Sequence, residues 1–264
     1  MRVTFLGTGT SHGVPMIGCD CPTCRSTDPR DNRLRPSVLV DAGGARILID
    51  AGPDLRLQAL RHRIDRLDAV LFTHGHADHV LGIDELRRYN HMQHAAIPCY
   101  GDARTLGDIR QTFSYVFDPN TPKGGGVPDL DLHTIEGPFQ ACGVDVQPVP
   151  VWHGERPILG FRIGPFAYLT DCSRLDDRAW PMLADLEVVV LDALRERPHP
   201  THFSLAQAID AARRIGARQT CFTHMCHDLP HEATNAKLPD GMSLAYDGQV
   251  LSLTNDETRT LNGD

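Results

Sequence analysis

The segment LFTHGHADHVLG, residues 71–82, constrains this chain more than any other. It sets four side chains of metal-ligand type, His74, His76, Asp78 and His79, within six positions, directly after the apolar run Ala69–Phe72. An apolar run of that length reads as a strand, and the helix expected to follow would leave the four polar residues in the turn between them. Two histidines one residue apart in an extended segment converge on a single ion once the loop turns. An aspartate and a histidine just beyond can swing to a second ion beside it. Imidazole and carboxylate ligands suit Zn, Mn or Fe.

Other short apolar runs bounded by Gly, Pro and Asp read as strands: Val3–Leu6, Val38–Val40, Ile47–Ile49, Val144–Val149, Ile158–Ile163, Ala167–Leu169, Val188–Leu191, Thr220–Thr223 and Gln249–Leu253. Helical patterning appears at Asp54–His62, near Ile83–Tyr89, at Arg104–Phe113 and at Ser204–Ile215. The last begins Ser204-x-x-Gln207, a capping-box signature, and stops at Gly216. Strands in both halves with helices between them predict a layered α/β architecture. No tandem repeat, linker or shift in composition divides the 264 residues, so one domain over 1–264 is expected. Two stretches read as irregular: His12–Pro36, and Asp118–Asp131, which is either a plain connector or a segment that covers substrate.

The motif after the strand resembles the signature of the metallo-β-lactamase superfamily. Membership implies a four-layer αβ/βα sandwich and three further ligands from later strand ends, in fixed order. Residues of the right type follow strands in PVPVWHG, FAYLTDCS and TCFTHMCH, at His153, Asp171 and His224. The N-terminal FLGTGTS and the LIDAGPD of Leu48–Asp54 also resemble superfamily elements, so the likeness covers nearly the whole chain. The resemblance implies that His74, His76 and His153 hold one divalent metal, that Asp78, His79 and His224 hold another, and that Asp171 bridges them. Mn and Zn both fit such ligands. Two such ions acting on one water imply a hydrolase that attacks with a metal-bridging hydroxide, with Asp78 and the rest of the set at the reacting centre. His at position 76 departs from the glutamate of the oxygen-reducing di-iron members.

Three of the eight cysteines cluster, as Cys19, Cys21 and Cys24 in GCDCPTC. In a reducing compartment such a group reads as a zinc site rather than a disulfide, although three unrelated loop thiols give the same spacing. No fourth cysteine is near. Cys99, Cys142, Cys172, Cys221 and Cys226 read as small buried hydrophobes. GVPMIGCDCPTC together with THMCHD resembles the PhnP-type phosphodiesterases, which share a core with ribonuclease Z but lack its tRNA-grasping arm. That resemblance implies a structural zinc on Cys19, Cys21, Cys24 and His227, and a small cyclic phosphodiester substrate. It also implies that His202, just before the N-cap Ser204, binds phosphate or acts as general acid. A histidine that merely starts a helix is the alternative. His199 reads as structural, His12 as a residue of a glycine-rich loop without an assigned role, and His62, His91, His94, His133 and His231 as surface or helix-end residues.

The formal net charge of -8 argues against a large nucleic-acid surface. No apolar stretch approaches a membrane span, and MRVTFLGTGTSHG lacks an export signal, so a cytoplasmic location is expected. A homodimer is compatible with the sequence, which leaves the oligomeric state open. Rival readings are thioester or lactone hydrolysis on the same metals, a PqqB-like role in cofactor biosynthesis, and a metal-binding protein without turnover.

Overall fold

In the computed structural model residues 1–122 and 126–253 are described. The strands are β1 Arg2–Gly7, β2 Ser37–Ala42, β3 Ala45–Ile49, β4 Ala69–Leu71, β5 Ile97–Gly101, β6 Leu130–Thr134, β7 Phe139–Ala141 and β8 Val144–His153. They continue with β9 Arg156–Ile163, β10 Phe166–Leu169, β11 Arg174–Leu175, β12 Val188–Asp192, β13 Gln219–Thr223, β14 Met242–Leu244 and β15 Val250–Ser252. The α-helices are α1 Leu55–His62, α2 Ala77–Val80, α3 Leu86–Gln93, α4 Ala103–Thr112, α5 Ser114–Phe117, α6 Ala179–Met182, α7 Leu205–Ile215 and α8 His231–Asn235.

The strands form two sheets, ordered β15-β1-β2-β3-β4-β5-β6 and β11-β8-β9-β10-β12-β13-β14, with β7 paired to β8. Both sheets obey one plan. The first pairs along each order are antiparallel; the last three, from β3 to β6 and from β10 to β14, are parallel. Parallel strands covered on both faces read as unbroken apolar runs, which is why VVVLD and RILID look the same in sequence. Along β3, Ile47 and Ile49 face the second sheet while Leu48 faces the helices. Along β12, Val188 and Val190 face the first sheet while Val189 and Leu191 pack under α7. Three apolar layers therefore separate four layers of structure: helices α1, α3 and α4, sheet, sheet, and helices α6 and α7.

All ten strands expected from the sequence are present. The five unforeseen ones, β5, β6, β7, β11 and β14, are short, edge-placed or broken by Pro98 and polar residues. The four expected helices are present within a few residues, and α7 carries the full capping box and ends at Gly216 with φ 71°. Part of the loop expected at 118–131, residues 123–125, lies outside the described residues, and its end is strand β6 rather than loop. Two of the five scattered cysteines correct the expectation of burial: Cys142 is exposed and Cys226 only partly buried. His231 does start a helix, α8, but it is 2% exposed rather than on the surface.

Candidate metal centre and its surroundings

The polar residues that end apolar strands meet at one edge of the sandwich. Strands β3 and β4 run parallel, as do β10, β12 and β13, and β8 shares their direction through β9. Their C-terminal ends therefore align. Asp50 follows β3, His153 ends β8, Asp171 follows β10, Asp192 ends β12 and His224 follows β13. Asp50, Asp171 and His224 adopt φ of 63°, 53° and 59°. The left-handed region costs a non-glycine residue about 1–3 kcal/mol. It turns these side chains sharply out of the strand direction. The cost is offset by the buried strand before each residue and by a backbone N–H bond just after it, from Ala51 to the His79 carbonyl, Cys172 to Asp192 Oδ2 and Met225 to the Thr8 carbonyl.

Two donor groups result. Single ligand atoms of His74, His76 and His153 lie within 4.8 Å of one another, as do those of Asp78, His79, Asp171 and His224. Asp171 lies between the groups. Its Oδ2 is 3.1 Å from His79 Nε2, and its Oδ1 is 3.3 Å from His224 Nε2 and 3.9 Å from His74 Nε2. Asp78 Oδ2 is 3.3 Å from His79 Nε2 and 3.5 Å from His224 Nε2. All seven residues named from the sequence are thus brought together.

The far nitrogens of the rings are fixed by residues behind them. His79 Nδ1 donates to Asp50 Oδ2 at 2.7 Å, and Asp50 also accepts from Thr73 N and Oγ1. His153 Nδ1 donates to the Thr201 carbonyl at 2.8 Å, and His74 Nδ1 meets Thr73 Oγ1 at 3.0 Å. Such outer partners set the ring orientation of metal-binding histidines. His79 Nε2 is buried, aimed at two carboxylates and without a hydrogen-bond partner among the described residues. A buried nitrogen held there with no proton partner fits a cation between the donors.

The field at the second group calls for positive charge: burial works against a charged His79, yet Asp171, Asp78 and Asp50 hold its ring well above the ordinary imidazole range. Burial works against the Asp171 charge, yet the imidazoles of His224 and His79 hold its carboxyl well below the usual range. Burial drives His74 well below its ordinary value, and lowers His76 and His153, so these rings offer lone pairs.

His202, 8% exposed, stands beside this group, with Nδ1 3.0 Å from Asp192 Oδ2 and 4.0 Å from Asp171 Oδ1. Asp192 Oδ2 also accepts from the backbone N–H groups of Cys172 and Phe203. Burial raises Asp192 well above the usual carboxyl range and lowers His202.

The N-terminal loop carries the cysteines to the same edge. Sγ atoms of Cys19, Cys21 and Cys24 lie 3.2, 3.5 and 3.5 Å from His227 Nδ1, and all four ligand atoms fall within 4.8 Å. The thiols are free, and the Met16 and Cys24 backbone N–H groups donate to Cys24 and Cys21 Sγ. A closed Cys3His shell is a structural zinc donor set. Arg33, with no exposed side chain, fastens the loop by donating to the carbonyls of Cys226 and Leu229. A cavity of about 260 Å³ opens between this loop and residues 194–202. His12, His199, His202 and His227 line it, with Arg195 and Arg197.

Sequence reasoning passed over Asp50 and Asp192. The signal was present, since RILID and VVVLD both end an apolar strand in aspartate, as YLTD does at Asp171. What the sequence lacks is the pairing, across 29 residues to His79 and across 10 to His202.

The family description "Beta-lactamase superfamily domain" matches residues 45–225. A crystal structure of a diphosphatase from the PhnP family superposes with TM-score 0.89 at 45% identity, over 95% of this chain and 97% of that one. An octanoyltransferase of Porphyromonas gingivalis is 41% identical over 94% of this chain. The chain spans about half of that relative's length, 51%. Zinc-bound PqqB from Methylobacterium extorquens, at 19% identity and TM-score 0.77 over 96% of this chain and 100% of that one, shares the fold.

Proposed function

The chain belongs to the metallo-β-lactamase superfamily, and from that membership and the geometry of its strand-end cluster we propose that it is a dinuclear metal-dependent phosphodiesterase acting on small substrates. The observation that carries this reading is Asp171, which belongs to the group of Asp78, His79 and His224, and whose Oδ1 also lies 3.9 Å from His74 Nε2 and 4.0 Å from His202 Nδ1. His74, His76 and His153 would hold one divalent ion, Zn or Mn, and Asp78, His79 and His224 the other, with Asp171 common to both. Such a pair, when bound, lowers the pKa of water and neutralises charge on phosphoryl oxygens.

The chain's own residues supply the rest. Asp50, Thr73 and the Thr201 carbonyl orient the ligand rings. Asp192 fixes the His202 ring through Nδ1, so that the ring in its imidazolium form would present a proton on Nε2 to the departing oxygen and be left neutral. The adjoining cavity of about 260 Å³ lies below the roughly 300–1,000 Å³ of drug-sized sites, which supports a compact substrate over a nucleic-acid strand. A net charge of -8 agrees. The structural zinc is proposed on Cys19, Cys21, Cys24 and His227. Similarity to the PhnP-family diphosphatase supports phosphoryl chemistry, and it also favours a second reading in which the bond cleaved is a diphosphate. The octanoyltransferase name belongs to a chain about twice as long, half of which has no counterpart here.

A kinetic comparison of cyclic phosphodiesters, linear diesters, diphosphates, monoesters and thioesters with the metal-reconstituted protein tests the reading. Cyclic or linear diesters should lead in kcat/KM by at least about tenfold, equivalent to 1.4 kcal/mol in the barrier. A lead for diphosphates selects the second reading, and a lead for thioesters removes both.

A further inference from the structure

His199 sits in the cavity beside the metal centre with a fixed protonation pattern. Its Nδ1 accepts from the Thr201 backbone N–H at 3.3 Å and lies 3.1 Å from Thr201 Oγ1. A neutral imidazole that accepts at one nitrogen carries its hydrogen on the other. Nε2 of His199 is therefore a donor. Burial also lowers the ring's basicity, so the neutral form prevails at neutral pH. The ring centroid is 5.1 Å from that of His202, and both rings line the same cavity.

The rest of the lining comes from three segments, one of them Cys226, His227 and Asp228 after β13. His12, Gly13 and Met16 come from the cysteine loop, and Arg195 and Arg197 from the segment after β12. Arg195 Nε and Nη2 donate to the carbonyls of Arg197 and Pro198, and Arg197 Nη2 meets Asp228 Oδ2 at 3.2 Å. Both arginines thus spend donors on shaping the rim. His202 is committed through Nδ1 to Asp192. His199 Nε2 has no protein partner among the described residues, which leaves it as a polar group available to whatever enters.

We propose that His199 is a substrate contact, donating from Nε2 to an oxygen of the alcohol portion of the substrate, beyond the bond that is cleaved. This rests on the phosphodiesterase reading. His202 faces the phosphoryl centre near Asp171, and His199 lies one ring further along the cavity, so the two read adjacent parts of one molecule. A hydroxyl or ether oxygen there is recognised, and an alcohol portion without one gains nothing from His199.

The test compares two diesters in wild type, His199→Ala and His199→Gln. A ribonucleoside 2′,3′-cyclic phosphate has oxygens in its alcohol portion, whereas ethyl 4-nitrophenyl phosphate offers only a two-carbon chain as its retained group and a nitrophenoxide that needs little help to leave. His199→Ala should raise KM for the cyclic substrate about tenfold with kcat changed less than threefold, and leave the nitrophenyl ester within twofold. His199→Gln, which keeps an N–H donor near the same place, should recover most of the loss. Metal content per chain and Tm are measured in each variant, because Thr201 also holds His153 through its carbonyl. Equal losses on both substrates, or lost metal, would show that His199 acts only through Thr201 and His153, and would overturn the proposal. Should wild type hydrolyse neither diester, the phosphodiesterase reading itself fails, an outcome separate from any effect of the variants.

Discussion

Asp171 shows how much one residue can carry. Its backbone is held at φ 53°, its side chain is 3% exposed, and its two oxygens face four imidazoles. Replacing it with alanine should abolish detectable hydrolysis and lower bound catalytic metal, while circular dichroism and Tm report an intact fold. Wild-type rates from a folded, metal-replete Asp171→Ala protein would sink the two-metal reading. His202 makes a finer point. If its Nε2 protonates the leaving oxygen, His202→Ala should slow diesters with alkoxide leaving groups by about 10²–10⁴-fold and activated aryl esters far less. Equal losses would assign His202 to phosphate binding alone. Asp192, which the sequence did not announce as a site residue, belongs to the same unit through its 3.0 Å contact with His202 Nδ1.

At the scale of elements, the cysteine loop and the segment after β13 depend on each other. Thr10 N donates to the Met225 carbonyl, Met225 N to that of Thr8, and Arg33 to Cys226 and Leu229. Zinc on Cys19, Cys21, Cys24 and His227 would close this seam three residues from His224. Binding energy at a structural zinc site is folding energy. Mild chelation should therefore remove the catalytic metals first and leave about one zinc per chain. Cys21→Ser should lose that zinc, lower Tm and reduce activity indirectly. Equal residual zinc in wild type and Cys21→Ser would mean that the cluster is no metal site. The strand elements teach a related lesson. Runs such as VVVLD were legible because burial on both faces demands an unbroken apolar string. Strand β5, IPCYG, and strand β6, LDLHT, were not, because an edge strand or a proline-bearing one carries neither string nor clean alternation.

For the molecule as a whole, stability in mild acid should be sensitive to His231. It is 2% exposed, Asn235 donates to its Nε2 at 2.8 Å, and its pKa is pushed down to about 4 from 6.5, chiefly by burial. An unfolded chain takes up this proton below about pH 6.5, whereas the folded chain refuses it until about pH 4. Stability from this group is thus complete above pH 6.5 and falls as the pH drops through that window. His231→Gln, which keeps an acceptor for Asn235 and cannot titrate, should show a shallower decline in Tm between pH 7 and pH 4. Parallel declines in the two proteins would remove His231 as a cause.

Across this same whole, the candidate ligand set was legible in the sequence alone. Metal ligands are few in chemical type, and an ion in a turn after a strand needs them at short, fixed spacings. The motif of residues 74–79, the strand-end residues His153, Asp171 and His224, and the cysteine triplet were therefore all readable, as was α7 from its cap residues. Tertiary structure alone decided the partners behind these candidate ligands. That Asp50 rather than Asp54 holds His79, that Asp192 holds His202, and that His199 faces the cavity through a hydrogen bond from Thr201 depend on which strand ends align. A carboxylate's reach is only a few ångströms, so its role is set by sheet register, and register is a property of the packed sheets, not of any segment within them.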